Sequence, residues 1–411
     1  MTSVESVEDR VAAPRKLRFG VNYVPSEGWF HSWLDLDRDA VARDLDDIAS
    51  LGMDHVRIFP IWPWIQPSRS HVRARAVADV RTVIQLSAER GLDVCVDLLQ
   101  GHLSSFDFLP SWVLTWHQRS IFTDVDARDG LRSYVEELAG SLSPEPNVFA
   151  FTLGNEVNNL WPANATTLDA SRDWAQELLA AIRENARGDQ LVVHSLFDDA
   201  FYAPDHPFSA EDVTTLGDVS SVHSWVFNGT SRIDGPLGPA TTSHAAYLAR
   251  LAGACGAADR PVWLQEVGAP LPDVPIDAAT EFVRRTVETA SAVSTLTGIT
   301  WWCSHDIDRR LVDFPEREYD LGLFTVEHVA KPLAHALRDA VESARAQSNH
   351  EEPQSISLPA DIVADPLARS LVAPGSDFHR AWVRLGEQPD DSFTPPLITP
   401  PAPRLSGPET H

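Results

Sequence analysis

The feature that most constrains this sequence is an alternation repeated eight times, in which a short apolar, β-branched run is followed by a longer stretch of helical period. The predicted strands are Leu17–Tyr23, Asp54–Pro60, Leu92–Leu98, Val148–Asn155, Gln190–Leu196, Val219–Trp225, Pro261–Glu266 and Gly298–Cys303. Between them lie predicted helices at Arg38–Leu51, Arg75–Arg90, Asp129–Leu142, Asp169–Arg187, Thr242–Cys255 and Asp277–Val293, with a last one at Lys331–Ala346. Asp35 or Asp37 can cap the first helix, and Gly52 and Gly91 stand where a helix is expected to stop. Such alternation buries a parallel sheet under helices. Eight units over roughly 300 residues suit an α/β fold of the (β/α)8 TIM-barrel type. A doubly wound sheet would need a glycine-rich phosphate turn after an early strand. The first strand is followed by Val24-Pro25-Ser26-Glu27-Gly28-Trp29 instead.

The expected organisation is an N-terminal arm over 1–16, a catalytic barrel over 17–346 and a Pro-rich tail over 347–411. That tail packs on the barrel through Phe378 and Trp382 or is partly disordered. With 59 acidic against 33 basic residues and no basic cluster, the chain repels phosphate backbones, so nucleic acid is excluded as a partner. No apolar run reaches the roughly 18 residues of a membrane span. The first twenty residues carry Glu5, Glu8 and Asp9 without an apolar stretch, so no signal peptide is read there and the expected location is cytoplasmic. Cys95, Cys255 and Cys303 are odd in number and far apart, which gives neither a disulfide framework nor a CxxC metal spacing. No oligomeric state is specified.

In a barrel, chemistry sits on the loops after the strands. Strand four runs into Asn155-Glu156 and strand seven into Glu266, two carboxylates leaving apolar strands at the same rim. Either alone is an ordinary loop glutamate, and the pair could be salt-bridged to arginine. Placed together across a pocket, they are what glycoside hydrolysis needs: one protonated to assist the leaving oxygen, the other ionised to attack the anomeric carbon.

On these residues the chain resembles glycoside hydrolase clan A, and more closely family 5, from Leu17 to about Ala346. The resemblance implies that Glu156 is the acid/base, Glu266 the nucleophile and Asn155 a ligand of the sugar 2-hydroxyl. It further implies that Arg57 in HVRIFP lies beside the nucleophile and favours its charged form. His102 after strand three and His223 in VHSW match the family's histidines, although either can be a satisfied core histidine. Trp302, or Trp301 in the neighbouring register, matches the tryptophan under the −1 sugar. His305 and Asp306 follow closely, and either bind hydroxyls or hold the loop. One departure is Trp225, which stands where the family has a tyrosine bonded to the nucleophile. An indole N–H donates but does not accept, so Trp225 is expected to shape the pocket rather than tune Glu266.

Ten of the thirteen tryptophans (Trp29, Trp33, Trp62, Trp64, Trp112, Trp116, Trp161, Trp225, Trp301 and Trp302) fall at strand ends or in the loops after them. Aromatic planes there suit the apolar face of a pyranose. Two-carboxylate hydrolysis needs no metal or other cofactor, and no metal ligand set stands out. The opening GVNYVPSEGWFHSW and the motif spacing are similar to intracellular exo-acting β-mannosidases of family 5. The expected function is therefore a retaining β-glycosidase trimming a small oligosaccharide from its non-reducing end, with loops after strands one, three and eight closing one side of the cleft. The alternatives are an endo-β-1,4-mannanase or endo-glucanase, an inactive carbohydrate-binding barrel, or a scaffold binding partners through its tail.

Overall fold

A computed structural model describes residues 17–346, 356–386 and 397–398. The arm assigned to 1–16, and the Pro-rich stretches 347–355, 387–396 and 399–411, lie outside the described residues. Eight parallel strands form one sheet: β1 (Arg18–Asn22), β2 (His55–Ile58), β3 (Asp93–Asp97), β4 (Val148–Thr152), β5 (Leu191–Val193), β6 (Ser220–Ser224), β7 (Val262–Val267) and β8 (Leu296–Trp302). Neighbours follow the order β5-β4-β3-β2-β1-β8-β7-β6. The ring closes at a parallel bridge from His194 to Ser220. Strand β5 is shorter than the apolar run 190–196, because the turn before β6 takes over its pairing. The backbone of Asp218 donates to the Val192 carbonyl, and the Asp218 carboxylate accepts from the Val192 N–H.

The main helices are α1 (Arg38–Ser50), α2 (Ala74–Ala88), α3 (Val125–Leu142), α4 (Leu168–Asn185), α5 (Ala210–Thr215), α6 (His244–Cys255), α7 (Ala279–Ser291) and α8 (Pro332–Ala346). Of the two aspartates able to start α1, Asp37 is the cap; its side chain accepts from the backbone of Asp39 and Ala40. Helix α3 begins four residues before Asp129, because Asp124 caps it through the Ala127 N–H. Their apolar faces bury one large core between helices and sheet. A second cluster of Cys95, Ala150, Val193, Val219 and Trp263 fills the barrel. At its base the Thr300 hydroxyl meets His55 Nε2 and the Trp263 indole N–H, each at 2.9 Å. The interior is thus solid at its base, and a ligand can enter only at the rim where the strands end.

Beyond the barrel, helix α9 (Asp377–Gly386) packs against α6. Trp382 and Phe378 lie against Tyr247, with ring centroids 4.9 and 6.5 Å away, and the Tyr247 hydroxyl donates to the Val372 carbonyl.

Candidate active site

At the C-terminal rim six strands deliver seven polar side chains into a common space: Asn22 from β1, Arg57 from β2, Asp97 from β3, Asn155 and Glu156 just past β4, His223 from β6 and Glu266 from β7. The bend that carries Asn155-Glu156 explains FTLGNE. A Cβ on Gly154 would stand 2.2 Å from the Leu99 carbonyl oxygen, a backbone atom with no room to retreat. Glu156 then takes a left-handed conformation (φ 42°, ψ 49°) and starts the short helical turn Val157–Leu160. Non-glycine residues adopt this geometry when their surroundings impose it, often at functional sites.

Arg57 is the hub. Its Nη1 donates to Glu266 Oε1 at 3.0 Å and to Asn22 Oδ1 at 3.3 Å; its Nη2 donates to Asn155 Oδ1 and lies 2.6 Å from Asp97 Oδ2. The bond to Asn155 fixes Oδ1 as the acceptor and aims Nδ2 as the donor. Between the glutamates lies His223, with Nδ1 2.7 Å from Glu156 Oε1 and 3.3 Å from Glu266 Oε2, and Nε2 3.0 Å from the Ser195 hydroxyl. One carboxylate oxygen of each glutamate and a nitrogen of His223 all lie within 4.8 Å of one another.

These contacts push the two carboxyl groups apart electrostatically. Burial raises the pKa of Glu156, the charge of Glu266 raises it further, and His223 and His102 only partly oppose them. Burial would raise Glu266 too, but His223 and Arg57 outweigh it and hold that carboxylate below its ordinary value. Burial likewise works against a charge on His223, yet Glu266 and Glu156 lift it to about 9. Asp97 is raised to about 6 by burial despite Arg57, while burial of the guanidinium is outweighed by Asp97 and Glu266. The site therefore holds one carboxyl whose proton affinity is raised beside one whose proton affinity is lowered, the direction of difference that two-carboxylate chemistry uses. Glu156 keeps 13% of its side-chain surface open against 3% for Glu266, so it is the one that water can reach.

The model of the cellulase family, glycosyl hydrolase family 5, matches residues 20–306. The chain belongs to glycosyl hydrolase family 5. Among solved structures, GH5_18 from Streptomyces cattleya in complex with GlcNAc is 45% identical and superposes with a TM-score of 0.89 over 94% of each chain. A Glu-to-Ala variant of that protein in complex with Manβ1-4GlcNAc gives 45% identity and a TM-score of 0.88, over 93% of this chain and 94% of that one. GH5_18 from Bifidobacterium longum subsp. longum is 41% identical with a TM-score of 0.89, over 93% and 92%. The search of curated proteins found no match.

Within this family 5 hydrolase, several sequence expectations change. Trp225 does reach the second glutamate: its indole N–H donates to Glu266 Oε2 at 3.2 Å. The expectation that it only shapes the pocket is corrected, because donation is all that a carboxylate requires of this neighbour. Replacing Trp225 with phenylalanine keeps an aromatic ring and removes that N–H. A hydrogen bond to a charged group is worth about 1.5–3 kcal/mol, so kcat/KM on an aryl glycoside is expected to fall by roughly ten-fold or more. The acid limb of its pH profile should rise with it, and an unchanged profile would remove Trp225 from the electrostatics of Glu266.

His305 and Asp306 do not join the group. After β8 the Ser304 backbone donates to the Asn22 carbonyl and its hydroxyl bonds Val24, which turns the chain outward over α1. His305 then meets Asp47 at 3.1 Å, and Asp306 accepts from Lys331 Nζ and the Gly322 N–H. His102 sits on a short hairpin, His102–Leu103 with Phe106–Asp107, and bonds Asp107 at 2.7 Å; it acts on Glu156 through space. Trp302 shares the inward face of β8 with Thr300 and lies edge-on to Trp225, centroids 6.3 Å apart. Most of the other rim tryptophans pack rather than line this site. Trp62 and Trp112 are buried edge to face against one another, and Trp116 is 93% exposed. Asn22 and Asp97 escaped the sequence reading; the only signal was that each is the last residue of its strand, as Arg57 nearly is.

Proposed function

We propose that this family 5 hydrolase is a retaining exo-β-mannosidase whose substrate is a short β-mannoside of the Manβ1-4GlcNAc kind. Glu266 attacks the anomeric carbon while Glu156 protonates the departing oxygen, and Glu156 then takes a proton from the water that releases the sugar. The observation that carries this reading is the pair of glutamates with opposed proton affinities and carboxylate oxygens within 4.8 Å. Retaining enzymes hold their carboxyl groups ~5–5.5 Å apart, and inverting ones ~6.5–9.5 Å to admit a water. His223 and Arg57 hold Glu266 toward its anion while Trp225 donates to it, Asn155 Nδ2 is the donor for the 2-hydroxyl, and Trp302 lies under the −1 sugar.

Exo action is supported by the loops. Trp29 after β1, Phe106 after β3 and Phe314 after β8 interlock, with centroids 4.8 to 5.7 Å apart, so three loops close one side of the rim. The GH5_18 structures holding Manβ1-4GlcNAc and GlcNAc support a disaccharide of this class. Given aryl β-mannoside, β-glucoside and β-galactoside, the protein is expected to prefer the first, and NMR should show β-mannose as the first-formed product. On long mannan it should release little, and only monosaccharide. First-formed α-mannose would refute retention, and a ladder of mannan fragments would refute exo action.

A further inference from the structure

A second cluster of titratable groups lies outside the barrel, where α1 meets the loop after β8. Asp44 and Asp47 stand three residues apart on α1 and so share a face. His305 comes from the start of the loop and His328 from its end. Asp47 Oδ2 lies 3.1 Å from His305 Nε2 and 2.6 Å from His328 Nδ1, so a single oxygen serves both rings. Asp44 Oδ1 points at the same two nitrogens from 3.7 and 3.9 Å, too far for a hydrogen bond. That oxygen is fully buried and has no hydrogen-bond partner, and Asp44 as a residue is 1% exposed. Its other oxygen accepts from the Tyr23 hydroxyl and the Ser26 N–H, which fixes the carboxylate in this orientation.

Hydrogen bonds from the two rings satisfy Asp47 but leave the buried Asp44 Oδ1 without a donor. Asp44 Oδ1 and a nitrogen of each ring lie within 4.8 Å of one another, so a cation among them satisfies the orphaned oxygen, with Asp47 Oδ2 at hand beside both rings. Two neutral imidazoles and two carboxylates around a divalent ion also sum to zero charge. The four oxygen-to-nitrogen separations run from 2.6 to 3.9 Å, around the ~3.3 Å between neighbouring donors of a tetrahedral zinc with bonds of ~2.0–2.1 Å. Imidazole with carboxylate is a donor set suited to zinc. We propose that Asp44, Asp47, His305 and His328 form a zinc-type divalent-cation site that clamps the loop after β8 to α1. The clamp grips the chain three residues beyond Trp302, so it steadies the segment that follows the −1 tryptophan.

The test strips the full chain with a chelator, reloads it with Zn²⁺, removes free ion by gel filtration and counts zinc per chain. One zinc per chain is expected, with a raised Tm; cobalt loading should give the intense visible bands of a tetrahedral site. His328 is partly exposed, so His328→Gln should fold, and it should lose zinc, the cobalt bands and the Tm increment together; Asp47→Asn should do the same. Glu266→Gln should keep all three, which separates this site from the glutamate–histidine trio of the barrel. No retained zinc, equal retention in His328→Gln, or loss of zinc in Glu266→Gln would each overturn the proposal.

Discussion

Glu266→Ala is expected to abolish hydrolysis with every leaving group, whereas Glu156→Ala should fail selectively. His223 and Arg57 hold Glu266 below its ordinary pKa, Trp225 donates to it, and in the proposed mechanism no glycosyl-enzyme can form without it. In the same proposal Glu156 supplies a proton, and such assistance is worth ~10² to 10⁴ in rate where the leaving oxygen needs it. Dinitrophenolate hardly does. A dinitrophenyl β-mannoside should therefore still glycosylate Glu156→Ala, which then stalls for want of a base, so stopped-flow absorbance should show a burst. Azide attacks without a base and should restore turnover, yielding a β-mannosyl azide. Should azide instead rescue Glu266→Ala to the β-product and leave Glu156→Ala silent, the two roles are reversed. Full activity in both variants would place the site elsewhere.

The parts of the site that the sequence revealed are those whose chemistry is rare at their position. A glutamate ending an apolar strand stands out, as Glu156 and Glu266 did, and so does an arginine inside HVRIFP. Asn22 and Asp97 end their strands just as Glu266 nearly does, but short polar residues at strand ends are common, and only the fold shows both converging on Arg57. His305 and Asp306 misled because nearness in sequence to Trp302 says nothing of direction. Two bonds from Ser304 back to β1 and Val24 send them away from the sugar face. The tryptophan count misled for a related reason, since aromatic rings in loops also serve to pack loops together. Barrel topology was legible because period and length survive averaging over eight units. The closure at β5 was not, because it depends on Asp218, a side chain in a turn.

Arg57→Met is expected to cost both stability and activity, with a pH dependence that identifies the cause. The guanidinium is fully buried and pairs with Asp97 and Glu266, so a methionine of similar bulk leaves two carboxylates without their cation. Breaking a buried pair by removing one partner costs on the order of 3–5 kcal/mol. In the wild type Glu266 has a depressed pKa, so its contribution to stability is present above its unfolded value and fades as acid protonates it. In the variant the folded pKa of Glu266 should rise, and that of Asp97, already raised to about 6 by burial, should rise further above its unfolded value. Folding then takes up protons, and the variant regains stability as pH falls. Both effects narrow the gap between the two proteins on acidification, so urea unfolding should show a larger difference at pH 7 than at pH 4.5. Activity should fall with an acid limb displaced upward, since in the proposed mechanism Glu266 must lose its proton before it can attack. Arg57→Lys restores a charge but cannot span Asn22, Asp97, Asn155 and Glu266 at once, so it should recover part of the stability and little of the rate. A gap that widens on acidification would mean that Arg57 acts through packing rather than through its charge.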